Sequence, residues 1–309
     1  MAEAGAIDRG GGTPPGVIAA WIRAIRAPSL SAAAIPVILG GAIAARDGYL
    51  AFGRLLLALV GAMALQAGAN LINDYYDYRS GADSEQSVGP SMAIQRGLLS
   101  EGQVWFGGIV ALGIGAAIGL VLVYLCGWPI LALGIPSVAA AYFYTANPVA
   151  LAYVAMGELT VFVFMGPVIV MGAYYVAALH FSWMAIWASI PIGFLAAAIL
   201  HANNLRDIES DARHGKHTIA TIIGRTGAIY ELGALDISAY AAALLAIFAG
   251  AIPWIGLAVF VTVPRVIDQL RIVSRETEPK RLNRALMRAV QLHLEFGLIL
   301  VAAFILAAL

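Results

Sequence analysis

One long, nearly uncharged stretch is the strongest constraint on what this chain can fold into. From Gly102 to Leu205 the only formally charged residue is Glu158. A crossing of the hydrocarbon core takes about 20 apolar residues, so this stretch is long enough for several crossings. The whole chain is 61% hydrophobic and 12% charged, with a mean hydropathy of +0.85. The sequence therefore predicts an all-α, polytopic membrane protein.

Proline, glycine and charged residues divide the apolar runs into nine predicted transmembrane helices. Their approximate bounds are 17–45, 54–79, 104–124, 128–146, 158–178, 183–203, 228–249, 252–271 and 288–308. Residues 1–16 are rich in Gly and Pro and lack the short apolar core of a signal peptide, which predicts a disordered tail. Residues 17–309 are then expected to form a single transmembrane domain.

The positions of Lys and Arg predict the orientation, because cytoplasmic loops retain these residues and translocated loops lack them. With a cytoplasmic amino terminus, all of these residues except Arg46 and Arg54 fall on the inner side. Nine crossings would then place the carboxyl terminus outside.

Two acidic clusters, at 70–77 and 203–211, lie at the predicted inner ends of apolar segments. Carboxylates at a membrane boundary are costly without partners, so the pair of clusters suggests a polyvalent cation shared between them, with an anion behind it. The alternative is that both clusters are solvated helix ends. Each cluster continues into a long polar loop, 80–103 or 204–227, and loops of this length in compact domains are usually functional.

Helical spacing places the polar residues of each cluster on one face. At 100° per residue, positions 70, 74 and 77 fall within about 60°, and positions 203, 207 and 211 within about 80°. Both clusters contain Asn-x-x-x-Asp, at 70–74 and at 203–207, which suggests an internal duplication. If the two helices face each other, their carboxylates offer hard oxygen ligands, which suit Mg²⁺ or Ca²⁺ and not zinc.

Basic residues among the acids favour a phosphate ligand in addition to a metal. Candidates to neutralise a diphosphate are Arg79, Arg96, Arg206, Arg213, Lys216 and Arg225. The alternative reading is that they only follow the inside-positive rule for inner loops.

The motifs around both clusters resemble those of the UbiA superfamily of intramembrane prenyltransferases. The segment 70–83, with Gly89-Pro90 and 95–97 after it, is most similar to the branch that acts on 1,4-dihydroxy-2-naphthoate, and so are 203–211 and 215–218. The resemblance covers roughly residues 20 to 225. In the 4-hydroxybenzoate branch a Tyr-x-x-x-Lys segment is common, whereas Tyr144 is followed at that spacing by Pro148, which favours the naphthoate branch.

This resemblance implies a fold and an activity. The implied fold is a helix bundle around a central cavity, in a bacterial or archaeal cell membrane. The implied reaction is Mg²⁺-dependent transfer of a polyprenyl group from its diphosphate to 1,4-dihydroxy-2-naphthoate, with loss of CO₂, in menaquinone biosynthesis. The expected partners are these two substrates and membrane lipid, with no nucleic acid.

The resemblance also implies site residues. Metal ligands would be Asp74, Asp77, Asp83, Asp207 and Asp211. Catalytic residues would be the same acids without Asp83, together with Tyr144 and Glu158. Substrate-binding residues would be Arg26, Asn70, Arg79, Arg96, Asn203, Asn204, Arg206 and Lys216.

Several of these residues have ordinary alternatives. Glu158 could orient or deprotonate a naphthol, or could be an acid that favours the positive end of a helix dipole. Tyr144 could stabilise an allylic cation by its ring face, or belong to an interfacial aromatic belt. Arg26 could reach a substrate anion or extend to the membrane surface. His201 could be a base, or more simply a hydrogen-bonded packing residue.

Two other functions fit part of the pattern. A UbiA-type enzyme could use another aromatic acceptor, such as 4-hydroxybenzoate or homogentisate. A secondary transporter also has apolar helices, an internal repeat and buried charge, but its ionisable residues are expected near the bilayer midplane.

Overall fold

The computed structural model describes residues 16–81 and 91–309, and within these ranges the protein is helical, without a β-sheet. Residues 1–15 and 82–90 lie outside the described part. The predicted tail, 1–16, therefore lies outside it except for its last residue, and Asp83 lies outside it as well. The α-helices are α1 (Val17–Ala24), α2 (Ser31–Arg46), α3 (Phe52–Ser80), α4 (Glu101–Cys126), α5 (Trp128–Phe143), α6 (Gly157–Val163), α7 (Ile169–Ala178), α8 (Trp183–Arg206), α9 (Ile208–Arg213), α10 (Ile219–Phe248), α11 (Val263–Arg275) and α12 (Pro279–Leu306).

In the described ranges, seven helical segments are long and apolar enough to cross a membrane. They are Ala27–Arg46, Phe52–Ser80, Glu101–Cys126, Gly157–Ala178, Trp183–Arg206, Ile219–Phe248 and Pro279–Leu306. Two further predicted spans have a different form. The helix α5 has only 16 residues, and the predicted span 252–271 begins as 3₁₀ turns over Trp254–Thr262 before α11. The predicted all-α membrane architecture is therefore confirmed, with seven candidate spans.

The predicted first span, 17–45, is two helices. Arg26 has a φ of 53°, in the left-handed region, and the 3₁₀ turn Ala27–Leu30 follows it with Pro28 near its start. Proline cannot donate a backbone hydrogen bond and restricts the residue before it, which favours an interruption here. The break places the Arg26 side chain beside the acidic end of α3, where it contacts Asn73 and Asp74.

Glycines allow close approach of helix backbones at the centre of the bundle. A Cβ on Gly40 of α2 would lie 2.4 Å from the carbonyl oxygen of Val170 on α7. A Cβ on Gly166 would lie 2.8 Å from the Cα of Gly193 on α8. Gly166 belongs to the π-helical turn Phe164–Val168, where Pro167 cannot take part as a donor in the regular α-helical hydrogen-bond pattern. At these glycines the backbone of α2 approaches α7, and the π-helical turn before α7 approaches α8.

We predict that Gly40→Ala destabilises the protein by about 1–3 kcal/mol, because the added methyl group meets backbone atoms that cannot move aside cheaply. The measurement is the midpoint of thermal unfolding in detergent. Gly113→Ala on α4 is the matched control, since a Cβ there has no atom within 4 Å. Equal midpoints for the two variants would contradict the proposed close packing of α2 on α7.

Candidate active site

The helices enclose a cavity of about 930 Å³, which is at the large end of the range for small-molecule sites. Most of its wall is apolar and comes from α2, α3, α4, α5, α7 and α8. Polar side chains line it where α3 and α8 end and near the break after α1. Among them are Arg23, Arg26, Asn70, Asn73, Asp77, Tyr144, Asn203, Asn204, Arg206, Asp207, Asp211, Lys216 and Asn283. An apolar chamber thus ends in a polar floor.

In the first acidic cluster, Asp74 is neutralised by the arginine at the helix break. Arg26 forms an ion pair with the buried Asp74 and donates a hydrogen bond to Asn73 Oδ1 at 2.9 Å. Asp74 itself does not line the cavity, but Arg26 does. The carboxylate therefore holds Arg26 against the cavity wall.

Asn70 fastens the break between α1 and α2 to α3. Its Nδ2 donates to the carbonyl oxygen of Ile25 at 2.8 Å and to Ser29 Oγ at 2.9 Å. Its Oδ1 accepts a hydrogen bond from Gln66. All the hydrogen-bonding groups of this side chain are thus engaged within the protein, which indicates a bracing role.

The second acidic cluster has its own arginine. Arg206, the last residue of α8, donates from Nε to Asp207 Oδ1 at 2.8 Å. The same guanidinium donates to Asn203 Oδ1 at 2.9 Å and to Asn283 Oδ1 of α12 at 3.1 Å. Arg206 is buried, so its charge is compensated by Asp207 inside the protein.

The hydrogen bonds show which residues of the two clusters correspond. Asn73 Nδ2 donates to Asp77 Oδ2 at 2.9 Å, and Asn203 Nδ2 donates to Asp207 Oδ2 at 3.4 Å. In each cluster an arginine donates to the oxygen of that asparagine. By contact, the repeated unit is therefore 73–77 with 203–207, shifted by three residues from the 70–74 repeat found by sequence.

Lys216 joins the two clusters. Its Nζ lies 3.6 Å from Asp77 Oδ2 and 3.6 Å from Asp211 Oδ1, and the residue is 7% exposed. Burial alone lowers the pKa of Lys216, but Asp77 and Asp211 outweigh it and the net shift of its pKa is upward. The ammonium is therefore charged at neutral pH and bridges α3 to the loop after α9.

Tyr153 completes this bridge. Its hydroxyl donates to Asp77 Oδ1 at 2.7 Å, and the Lys216 ammonium lies 5.4 Å from its ring centroid. The backbone N–H of His217 donates to the carbonyl oxygen of Tyr153 at 3.2 Å, and Val154 pairs with His217 as an isolated bridge. The α5–α6 connection is thus attached to the α9–α10 connection. Burial raises the pKa of Tyr153, so its hydroxyl is a donor at neutral pH.

Glu158 lies behind the cavity wall. It is buried and accepts hydrogen bonds at Oε1 from Asn204 Nδ2 at 3.0 Å, while His201 Nδ1 lies 3.0 Å from the same oxygen. Asn204 lines the cavity, but Glu158 and His201 do not. The structure thus brings Glu158 into contact with the second cluster through Asn204.

Tyr144 lines the cavity with a fully buried hydroxyl. Within the described residues this hydroxyl has no hydrogen-bond partner, and burial raises its pKa. Arg79 and Arg96 are not brought into the site: Arg79 has a side chain that is 60% exposed and pairs with Glu101, and Arg96 is also exposed. Asp83 lies outside the described residues.

Sequence reasoning did not single out Tyr153, Asn283 or Arg23. Tyr153 and Asn283 reach the clusters from other helices or loops, and neither stands in a motif, so only tertiary structure places them there. Arg23 lies in the last turn of α1, three residues before Arg26, and that spacing is a signal which could have indicated it.

The donor set fits Mg²⁺ bound together with an anion, in preference to a site made of protein alone. Asp77, Asp207 and Asp211 face the cavity, and their carboxylate oxygens are the hard ligands that Mg²⁺ prefers. In the part of the chain that the structure describes, no three acidic, His or Cys side chains are grouped closely enough to enclose a metal. Mg²⁺ characteristically takes one or two carboxylates and completes its shell with phosphate oxygens and water.

The sequence profile of the UbiA prenyltransferase family matches residues 33–308. The chain is 37% identical over 238 residues to the 1,4-dihydroxy-2-naphthoate octaprenyltransferase of Mycobacterium tuberculosis, covering 76% of this chain and 80% of that protein. It is 30% identical over 276 residues to the enzyme of the same name from Bacillus subtilis, covering 89% and 88%.

Solved structures share the fold at low sequence identity. A UbiA homolog from Aeropyrum pernix superposes with a TM-score of 0.67 at 18% identity, over 90% of this chain and 98% of that one. A UbiA homolog from Archaeoglobus fulgidus bound to GPP and Mg²⁺ superposes with a TM-score of 0.61 at 17% identity, over 92% and 99%.

We predict that Lys216→Met lowers stability by about 3–5 kcal/mol, because Asp77 and Asp211 lose the buried cation between them. Since the pKa of Lys216 is raised by folding, its contribution is complete below the ordinary pKa of lysine and is lost only at higher pH. Thermal unfolding at neutral pH measures the effect. Lys280→Met, at an exposed position on α12, is the control, and equal losses in both variants would refute the bridge.

Proposed function

The chain belongs to the UbiA prenyltransferase family, and we propose that it transfers a polyprenyl group from polyprenyl diphosphate to 1,4-dihydroxy-2-naphthoate with loss of CO₂, giving demethylmenaquinol for menaquinone biosynthesis. The observation that carries this proposal is the apolar chamber whose polar floor holds two acidic clusters and three cations, the half-buried Arg26 and the buried Arg206 and Lys216. Two bacterial relatives that span most of the chain carry the name of this activity.

The polar floor suits a departing diphosphate. Arg26, Arg206 and Lys216 line the cavity and offer fixed positive charge to an anion. Asp77, Asp207 and Asp211 would hold Mg²⁺, with Asp74 behind Arg26, and the bound ion would stabilise negative charge on the leaving diphosphate. Each cation is already placed by a carboxylate, so little reorganisation is needed when the anion binds.

The apolar chamber suits the other half of the reaction. Breaking the allylic C–O bond leaves an electrophilic carbon, and an apolar wall that excludes water would prevent water from capturing that carbon. Tyr144 lines the chamber, and its ring face would stabilise the developing positive charge by about 1–2 kcal/mol. The lipid-soluble polyprenyl chain would occupy the apolar wall formed by α3, α4, α5 and α7.

The decarboxylating reaction does not require a general base to remove a proton from the ring. The ring carbon forms a bond to the prenyl carbon as the C–O bond to diphosphate breaks. The bond from that ring carbon to its carboxylate then breaks, its electron pair returns to the ring, and CO₂ leaves. No proton has to be removed from the ring, which agrees with the place of Glu158 behind Asn204 and outside the cavity lining.

We further propose that residues 17–309 are one prenyltransferase domain in the cell membrane, crossing it nine times with the amino terminus in the cytoplasm and the carboxyl terminus outside. The distribution of Lys and Arg supports this orientation. Cysteines introduced at Arg54 and Arg281 would react with an impermeant maleimide from opposite sides of the membrane, and labelling from one side only would refute it.

We predict that the purified protein in detergent, given farnesyl diphosphate, 1,4-dihydroxy-2-naphthoate and Mg²⁺, forms a prenylated and decarboxylated naphthoquinol. Mass spectrometry identifies the product, and EDTA abolishes it. Competing 4-hydroxybenzoate is included in the same reaction. If only prenylated 4-hydroxybenzoate forms, the family holds and the acceptor is wrong; if neither product forms, the proposed activity fails.

Asp74→Asn and Asp207→Asn are expected to lower the rate by roughly a hundredfold or more, because each removes negative charge that positions a cation for the diphosphate. Asp268→Asn is the matched control, since Asp268 pairs with Arg288 and does not line the cavity. Full activity of both site variants would mean that the acidic clusters do not serve prenyl transfer.

A further inference from the structure

Resting on the proposed prenyl transfer, we propose that His201 and Glu158 are positioning residues for Asn204. They turn its amide so that its oxygen faces the cavity, where that oxygen accepts a hydrogen bond from a hydroxyl of the aromatic acceptor. Neither His201 nor Glu158 touches the cavity, whereas Asn204 lines it. The pair would therefore act on the substrate only through the amide.

The contact chain crosses three helices. Glu158 belongs to α6, His201 and Asn204 to α8, and the carbonyl oxygen of Ala228 to α10. His201 Nδ1 lies 3.0 Å from Glu158 Oε1, and its Nε2 lies 2.9 Å from the oxygen of Ala228. His201 is completely buried and Glu158 is 5% exposed, so water does not compete for these contacts.

The partners of His201 fix the position of its protons. A backbone carbonyl can only accept, so Nε2 must carry a hydrogen. Nδ1 faces a carboxyl oxygen, so one further proton lies between Nδ1 and Glu158. Whichever atom holds it, the pair has no net charge, which is the state that a low-dielectric interior favours. The pair is therefore a stable support for Asn204.

The same carboxyl oxygen determines which way Asn204 turns. Asn204 Nδ2 donates to Glu158 Oε1 at 3.0 Å, and a reversed amide would place two oxygens against each other. Its own Oδ1 is then directed away from Glu158, and within the described residues it receives no hydrogen bond. An acceptor atom is thus presented at the wall of the cavity.

Since the Asn204 oxygen receives no hydrogen bond from the described residues, it selects for a ligand that donates one. A fully ionised diphosphate offers only hydrogen-bond acceptors, and the cations Arg26, Arg206 and Lys216 would bind it. Apolar residues adjoin Asn204 on the wall one turn earlier on α8, at Ile199 and Leu200, which suits an aromatic ring. A ring that carries hydroxyl groups matches both features: its face lies against the apolar wall and its O–H donates to Asn204.

The test is a double-mutant cycle between His201→Gln and Asn204→Ala. A glutamine cannot donate to Glu158 and Ala228 together at the positions of the two ring nitrogens. His201→Gln is expected to raise the KM for 1,4-dihydroxy-2-naphthoate about tenfold, with kcat and the KM for farnesyl diphosphate changed less than twofold. In the Asn204→Ala background the same substitution should have almost no further effect on that KM.

Equilibrium binding of 1,4-dihydroxy-2-naphthoate, measured by calorimetry without diphosphate, gives a readout that does not need turnover. It should weaken in both single variants and no further in the double variant. Glu158→Gln is a second route if His201→Gln does not fold, because a glutamine preserves the volume but can present an N–H to Asn204 and release its orientation.

His293→Gln is the matched control. His293 is equally buried on α12 and contacts neither Glu158 nor Asn204, so its KM values should match the wild type. Additive effects in the cycle, or a change confined to the KM for diphosphate, would overturn the inference while leaving prenyl transfer intact. A wild-type protein that binds no naphthoate would overturn it as well, and a wild-type protein that binds naphthoate without turnover would refute the proposed function alone.

Discussion

Charge compensation inside the protein is the interaction on which the rest of the site depends. Four carboxylates lie at or near the floor of an apolar cavity, and each is paired with a cation from the same chain: Asp74 with Arg26, Asp207 with Arg206, and Asp77 and Asp211 with Lys216. Unpaired, these acids would be very costly to bury. The irregular parts of the fold, such as the break at Arg26 and the bridge between the α5–α6 and α9–α10 connections, are what bring the cations to the acids.

Features that depend on local sequence could be predicted, and those that depend on tertiary contacts could not. The helical class follows from composition. Helical spacing predicted one face for positions 203, 207 and 211, but α8 ends at Arg206 and α9 begins at Ile208, so these positions do not lie along one helix. Asp77, Asp207 and Asp211 nevertheless line the cavity, whereas Asp74 does not. Lys216 was one of six basic candidates, and its bridging position depends on two segments that meet only in the fold. Arg79 and Arg96 were predicted from the same pattern of basic residues near the clusters, but both lie exposed. Nothing in the local sequence distinguishes a surface arginine from a buried one.

Helix bounds show the same limit. The run 17–45 reads as one apolar segment, yet the left-handed backbone of Arg26 and the 3₁₀ turn that contains Pro28 divide it into two helices. Conversely, α10 begins at Ile219, nine residues before its predicted start at 228, where the Thr218 side chain caps it. Its first turn is separated from the long apolar part by Gly224, whose φ of 72° is not helical. The apolar content of a segment predicts that it lies in the membrane. It does not by itself predict the residue at which a helix begins or ends.

The hydrogen bonds pair residues 73–77 with 203–207, and not residues 70–74 with 203–207 as the sequence repeat suggested. If 73–77 is equivalent to 203–207, the residue equivalent to Asp74 is Asn204. One half of the duplication then carries an anion that holds a guanidinium, where the other half carries a neutral amide held by a carboxylate. On this correspondence the two clusters share the Asn–Asp hydrogen bond and differ chemically at one position. Because the two halves are unlike, a molecule bound against one half meets a fixed cation, and a molecule bound against the other meets a neutral amide.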